Sequence, residues 1–137
     1  MEAESHVLCL SETPNQGYIR LPSVLTDQWE IGLVNITYSN LFIENPDQIY
    51  VCCDAINSDY NQVLRHIPHK ALAARGNQKH YDFPNIVYLS VHTPLNKSRL
   101  TLTDEEGELV SFTSKAKVIY TLHLRKKYVG RFLSEAR

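Results

Sequence analysis

Apolar and polar residues alternate along most of this chain with a period of two, in short runs separated by Gly, Pro, Asn and Asp. Side chains of a strand point alternately to its two faces, so such runs predict half-buried strands. They fall at residues 6–10, 18–21, 29–38, 48–55, 62–67, 86–92, 99–103 and 117–125, with a further short one at 108–112. In the third, Trp29, Ile31 and Leu33 face one way and Glu30, Gly32 and Val34 the other. In the last long run Val118, Tyr120, Leu122 and Leu124 oppose Ile119, Thr121 and His123. That strand begins apolar on both faces, as a central sandwich strand does. Leu100 and Leu102 flank Thr101, and the four polar or glycine residues Asp104-Glu105-Glu106-Gly107 read as a hairpin loop. The longest break, residues 68–84, holds the one helical signal: residues 70–75 predict either two turns stopped by Gly76 and Asn77 or a projecting loop.

Eight or nine strands at this spacing predict an all-β fold, an antiparallel β-sandwich or a barrel. Several connections are too long for hairpins and suit crossovers between two sheets. Periodicity alone does not separate a jelly roll from other sandwiches. The only Trp precedes Cys52 and Cys53, so the Cys–Trp–Cys order of an immunoglobulin domain is missing.

Composition sharpens this only a little. The 137 residues suit one domain, and Val, Ile and Thr supply 27 of them, as a strand-rich chain requires. No apolar stretch is long enough to span a membrane as a helix. The N-terminus, Met1-Glu2-Ala3-Glu4-Ser5-His6, is acidic and lacks the apolar core of a secretory signal, so synthesis inside the cell in a reducing compartment is expected. Three cysteines, Cys9, Cys52 and Cys53, are a poor disulfide framework and are expected to be small buried or half-buried hydrophobes.

Motifs for catalysis are thin. The chain has no Gly-rich phosphate loop and no Gly-x-Ser-x-Gly elbow. Cys52 and Cys53 lie in an apolar setting that raises a thiol pKa and so opposes nucleophilic use. Of six histidines, His66 and His69 are three apart across Pro68, without the spacing of a zinc-binding helix or the His-x-His pair of a cupin. A cupin-like metalloenzyme is therefore the weakest reading, and no enzyme activity, metal or cofactor is expected. The acids Asp104, Glu105, Glu106 and Glu108 fit a solvated hairpin tip.

Charge is more informative. Residues 115–137 carry seven Lys or Arg and one acid, Glu135, while the first 114 carry seven bases and 14 acids. The chain has an acidic body and a basic end. Residues 1–125 read as the sandwich domain and residues 126–137 as a basic C-terminal tail. Within that tail Lys126, Lys127, Tyr128, Arg131, Phe132 and Leu133 mix cations with large apolar groups. They form a candidate assembly arm toward a neighbouring subunit, or a weak nucleic-acid contact, or a terminus that folds back on its own sandwich.

Several stretches together resemble a known family. They are Leu25 followed by Trp29-Glu30-Ile31-Gly32-Leu33-Val34-Asn35-Ile36, then Ile49-Tyr50-Val51 with Asp54, and Val63-Leu64-Arg65 before Ile67-Pro68. Leu100-Thr101-Leu102-Thr103-Asp104-Glu105-Glu106-Gly107 leads to Leu109-Val110-Ser111-Phe112, and Val118-Ile119-Tyr120-Thr121-Leu122-His123-Leu124-Arg125 closes the series. In this order they resemble the penton, or minor capsid, proteins of Maverick/Polinton elements and their adintovirus relatives. The chain departs from that pattern at Ser39-Asn40, where relatives tend to carry Pro, and in a short connection at residues 56–62. The resemblance implies a single jelly roll of eight or nine strands and a structural role in the virion. Five copies would form the five-fold vertex of an icosahedral capsid, surrounded by a double jelly-roll major capsid protein. It implies no catalytic residues. The alternative is a β-sandwich binding module for a glycan or a receptor, using aromatics such as Tyr81 and Tyr88.

Overall fold

The computed structural model describes residues 5–16, 18–20, 29–56, 62–91 and 97–126. Nine strands form among these residues: β1 (Ser5–Glu12), β2 (Tyr18–Arg20), β3 (Trp29–Ser39), β4 (Ile49–Cys53), β5 (Val63–Ile67), β6 (Gln78–Asp82), β7 (Tyr88–Val91), β8 (Lys97–Thr103) and β9 (Val118–Lys126). One sheet has the order β1-β9-β3-β6, with β7 also paired to β3, and the other has the order β2-β8-β4-β5. Every ladder between them is antiparallel. The all-β antiparallel sandwich expected from the alternation is what the chain forms. The predicted ends at Leu21 and His92 lie outside the described residues, as do Leu25, most of the 56–62 connection and residues 127–137.

The inward positions make one core. Ile31, Leu33, Ile36 and Tyr38 of β3 and Val118, Tyr120, Leu122 and Leu124 of β9 are buried on one sheet. Ile49, Val51 and Cys53 of β4, Leu64 and Ile67 of β5, and Leu100 and Leu102 of β8 are buried on the other. The inward set of β3 jumps by three residues from Leu33 to Ile36, because the ladder to β9 shifts register between Leu33 and Asn35. A bulge of this kind adds one residue and restores the apolar face after it. The bulged Val34 carbonyl accepts the Phe83 N–H at 3.1 Å.

That bulge divides the far edge of β3 between two short strands. Residues 35–39 pair with β6 and residues 29–32 pair with β7. The connection between β6 and β7 crosses the outer face over Gly32. A Cβ at Gly32 would overlap the Ile86 Cγ2 and lie 3.1 Å from the Val87 carbonyl oxygen, so only a glycine leaves room for this crossing. Arg65 of β5 holds the same connection from the other sheet. Its guanidinium lies 4.4 Å from the Phe83 ring centroid and donates to the Asn85 carbonyl at 2.8 Å.

The structure decides between the two readings of residues 70–75 and corrects two strand expectations. Residues 70–75 do not make two helical turns: a single 3-10 turn (His69–Ala71) forms and Leu72 is already extended. Gly76, at φ 61°, and Asn77 instead close a tight turn in which Arg75 and Gln78 exchange backbone hydrogen bonds. That turn opens β6, a strand the alternation did not predict. Residues 108–112 form no strand. They make single bridges, Leu109 to Thr103 and Phe112 to Phe42, and stitch β8 to the segment after β3. The Asp104–Gly107 loop is a tight turn as expected, with the Asp104 carboxylate accepting the N–H groups of Glu106 and Glu108 at 2.9 and 3.0 Å.

Candidate interaction surfaces

The two ends of the sandwich differ in chemistry. β9 runs from Val118, opposite Tyr38, to Lys126, opposite Trp29. At nine residues it spans roughly 30 Å. Lys126, the first residue of the predicted arm, is half-buried at the Trp29 end, where His6 stacks on the Trp29 indole at 5.6 Å. Lys127, Tyr128, Arg131, Phe132 and Leu133 lie outside the described residues. The opposite end is built from residues 40–48, 68–77 and 104–117. It exposes Glu44, Asp47, Glu105, Glu106 and Glu108 around Ile43 and Leu109, two large apolar side chains that are 75% and 53% exposed. The surface ion pair of Lys70 with Asp47, at 2.8 Å, lies at this end.

An open cleft of about 650 Å³ runs between residues 13–16 and 109–114, with Arg99 among the residues lining it. Asn15 pins the cleft to the sheet beneath. It adopts the left-handed conformation at φ 66°, which asparagine tolerates, and its side-chain amide bonds both the Leu102 N–H and the Val110 carbonyl. Arg99 donates to the Asn15 carbonyl at 2.5 Å. At the start of β8, the Asp54 carboxylate accepts the Ser98 hydroxyl at 2.5 Å and the Arg99 N–H at 2.9 Å, and so fixes the turn after β4.

The outer face of the first sheet carries two polar chains. In one, Arg125 pairs with Glu30 at 2.6 Å and stacks over the Tyr88 ring at 3.4 Å, while the Tyr88 hydroxyl bonds His123 Nδ1 at 2.6 Å. In the other, the Thr37 hydroxyl bonds His80 Nδ1 at 2.6 Å and His80 Nε2 bonds Asp82 at 2.8 Å. Thr37 and His80 are direct cross-strand partners, so the ladder itself brings this pair together. The two tyrosines suggested as binding aromatics are not free platforms. Tyr88 is engaged as described, and Tyr81 packs edge-on against Phe83 at 4.8 Å.

His66 and His69 do not converge. His66 is exposed, bonds Gln48 at 2.5 Å and lies with its ring tilted against that of Tyr50 at 4.9 Å. His69 is fully buried between Tyr38, Asn45 and Phe42. Among the described residues no three His, Cys, Asp or Glu side chains gather where one cation could sit. Cys52 and Cys53 bond Thr103 and Ser98, and burial pushes both thiols up, as their apolar setting implies. Cys9 corrects the expectation for the cysteines: it is exposed on the outer face of β1. Sequence reasoning missed the buried His69 site altogether. Its only trace was a histidine just after Pro68, with Tyr38 and Asn45 too distant along the chain to connect with it.

No helix among the described residues is long and apolar enough to cross a membrane. Comparison of the chain with protein-family models and with curated proteins finds no match.

Proposed function

We propose that this chain is a structural protein of an icosahedral capsid, a single jelly roll that self-associates into the five-fold vertex and abuts a double jelly-roll major capsid protein. The observation that carries this reading is how the chain shares its strands between the sheets. β1, β3, β6, β7 and β9 lie in one sheet and β2, β4, β5 and β8 in the other, in the orders β1-β9-β3-β6 and β2-β8-β4-β5. That interleaving is what two Greek keys wound together produce, and it supports the jelly-roll reading. Most of the residues that carry the family resemblance lie in β3, β4, β5, β8 and β9; Asp54 and residues 104–112 lie in connections, and Leu25 lies outside the described residues. The charge layout supports association of unlike surfaces: Lys126, which the basic residues of the tail follow in the sequence, lies at one end, and acids are exposed at the other. Unlike surfaces that meet head to side close into a ring where the rotation between copies closes, as a five-fold vertex requires.

Full-length protein should give a pentamer by native mass spectrometry or mass photometry at capsid-like salt. Deleting residues 127–137 should leave the sandwich folded and weaken association about tenfold. A chain that stays monomeric at every concentration, with the major capsid protein present, would sink the vertex reading. Unchanged assembly of the truncated chain would sink the arm alone. The basic tail is also the surface that would make any weak nucleic-acid contact. A second reading, a module that binds glycan or receptor, is favoured by the cleft between residues 13–16 and 109–114. Its mix of hydroxyl, amide and aromatic groups is of the kind that sugars bind. Glycan-array binding by the isolated chain, lost on changing Asn15 or Arg99, would favour it.

A further inference from the structure

On the outer face of the first sheet a hydroxyl, an imidazole and a carboxylate stand in line. Thr37 of β3 and His80 of β6 are direct partners across the ladder, and Asp82 follows His80 by two residues, so all three side chains share one face. The Thr37 hydroxyl lies 2.6 Å from His80 Nδ1, and His80 Nε2 lies 2.8 Å from the Asp82 carboxylate. The acid at the end of the chain sets its polarity. A carboxylate accepts, so Nε2 carries the proton, and Nδ1 of the neutral ring accepts from the Thr37 hydroxyl. A hydroxyl bonded to a base, with a third group holding that base in one tautomer, is the arrangement that activates a nucleophile. The chain is also open to a ligand. Thr37 and His80 line an open cleft of about 400 Å³ together with Arg75 and Gln78. Thr37 is half-buried there, and His80, Asp82 and Arg75 are exposed.

We propose that Thr37, His80 and Asp82 form an acyl-transfer site that hydrolyses small carboxylic esters through an acyl-Thr37 intermediate, an activity separate from assembly. In the first step Thr37 Oγ bonds to the carbonyl carbon while its proton passes to His80 Nδ1. The ester C–O bond then breaks, and the departing alcohol takes that proton. In the second step the oxygen of a water molecule bonds to the acyl carbon and gives a proton to Nδ1. Thr37 Oγ leaves with that proton, and the free acid is released. Asp82 is a positioning residue, which keeps Nδ1 free to accept and steadies the imidazolium formed in each step. Arg75 and Gln78 give the cleft donors for the oxygen on which negative charge develops. The walls of the cleft are mostly polar, which favours a short acyl group over a long apolar one.

Full-length protein incubated with para-nitrophenyl acetate tests the site. The expected result is sustained release of nitrophenolate, with an acetyl group on Thr37 in peptide mass spectra of acid-quenched samples. Thr37→Val keeps the side-chain shape and the strand preference and should lose both signals. His80→Gln should slow the release about a hundredfold. Asp82→Asn should slow it at least about tenfold, with Asp82→Glu recovering part of the loss. All three positions lie on the outer face, so circular dichroism should show each variant folded as the parent is. Release by the parent no faster than by Thr37→Val, acetyl groups on lysines but not on Thr37, or an unchanged rate in His80→Gln would overturn the proposal.

Discussion

Replacing Gly32 by valine should lower the stability of the sandwich by about 3 kcal/mol, the upper end of what overpacking costs. The reason is space. The new Cβ would overlap the Ile86 side chain, lie 3.1 Å from the Val87 carbonyl oxygen and 3.2 Å from Tyr88 Cδ1. Ile86 can turn aside. The Val87 carbonyl cannot, because the next residue, Tyr88, pairs directly with Gly32 as β7 begins. Relief therefore means lifting β7 from β3. Tyr88 would then leave His123, now at 2.6 Å, and the Arg125 guanidinium stacked on its ring, so the damage spreads across the outer face to β9. Gly32→Ala should act in the same direction at about 1 kcal/mol, since one methyl group asks less of the same contacts. Urea unfolding of the two variants beside the parent chain measures both numbers, and limited proteolysis within residues 83–87 should speed up in the valine variant. Parent-like stability of Gly32→Val would mean that the crossing is loose and the glycine incidental.

Gly32 also shows where reading the sequence stops. The run Trp29-Glu30-Ile31-Gly32-Leu33 identifies a strand and its buried face, and both are present. Nothing in that run shows that another segment crosses at Gly32. Such a close approach depends on which strands are neighbours, and a period of two carries no information about neighbours. The bulge at Val34 was hidden for the same reason: an extra residue is visible only against a partner's register. β6 was missed for a different reason. Gln78-Lys79-His80-Tyr81-Asp82 is an edge strand, and edge strands carry charged and polar side chains that erase the apolar alternation while discouraging edge-to-edge pairing. Residues 108–112 erred the other way. Leu109, Val110 and Phe112 have the composition of a strand, but their backbone groups are divided between β8 and the segment after β3, and no ladder forms. The alternation of β9 survived intact because that strand lies between two others and packs one face on the core. The polar sites were the least legible, since Tyr38, Asn45, His69 and Lys79 meet only through folding.

That last cluster makes the protein sensitive to acid. The contribution of His69 to stability should fall by about 3 kcal/mol between pH 6.5 and pH 4. The imidazole bonds on both sides, to the Tyr38 hydroxyl at 2.7 Å through Nδ1 and to the Asn45 side-chain oxygen at 2.8 Å through Nε2. Asn45 Oδ1 only accepts, so Nε2 carries the proton, and Nδ1 accepts from Tyr38. Burial pushes the Tyr38 phenol well above its ordinary range, which keeps it a donor. A second proton would have to sit on Nδ1, where the hydroxyl already donates. Burial, and then the nearby Lys79 ammonium, lower the His69 pKa from 6.5 to about 4. Lys79 is held there by its own bond to the His69 carbonyl at 2.9 Å. The unfolded chain therefore binds a proton that the folded chain refuses. The contribution is complete above pH 6.5 and is lost as the pH falls toward 4, at up to about 1.4 kcal/mol per pH unit. Glu12 acts with the opposite sign: burial raises its carboxyl pKa, so the folded state gains as Glu12 takes up its proton. The slope of the parent chain alone thus mixes two groups, and the comparison that isolates His69 is with His69→Ala. That variant should lose about 4 kcal/mol at pH 7, from the cavity it leaves and from stranding the Tyr38 hydroxyl and Asn45. Its stability should also change less between pH 7 and pH 5 than the parent's does. Tyr38→Phe, a milder change, should cost about 1–2 kcal/mol at pH 7 and ease His69 protonation by freeing Nδ1. Urea midpoints at pH 7, 6 and 5 for the three chains measure each effect. Parallel pH dependence in parent and His69→Ala would place the acid sensitivity elsewhere.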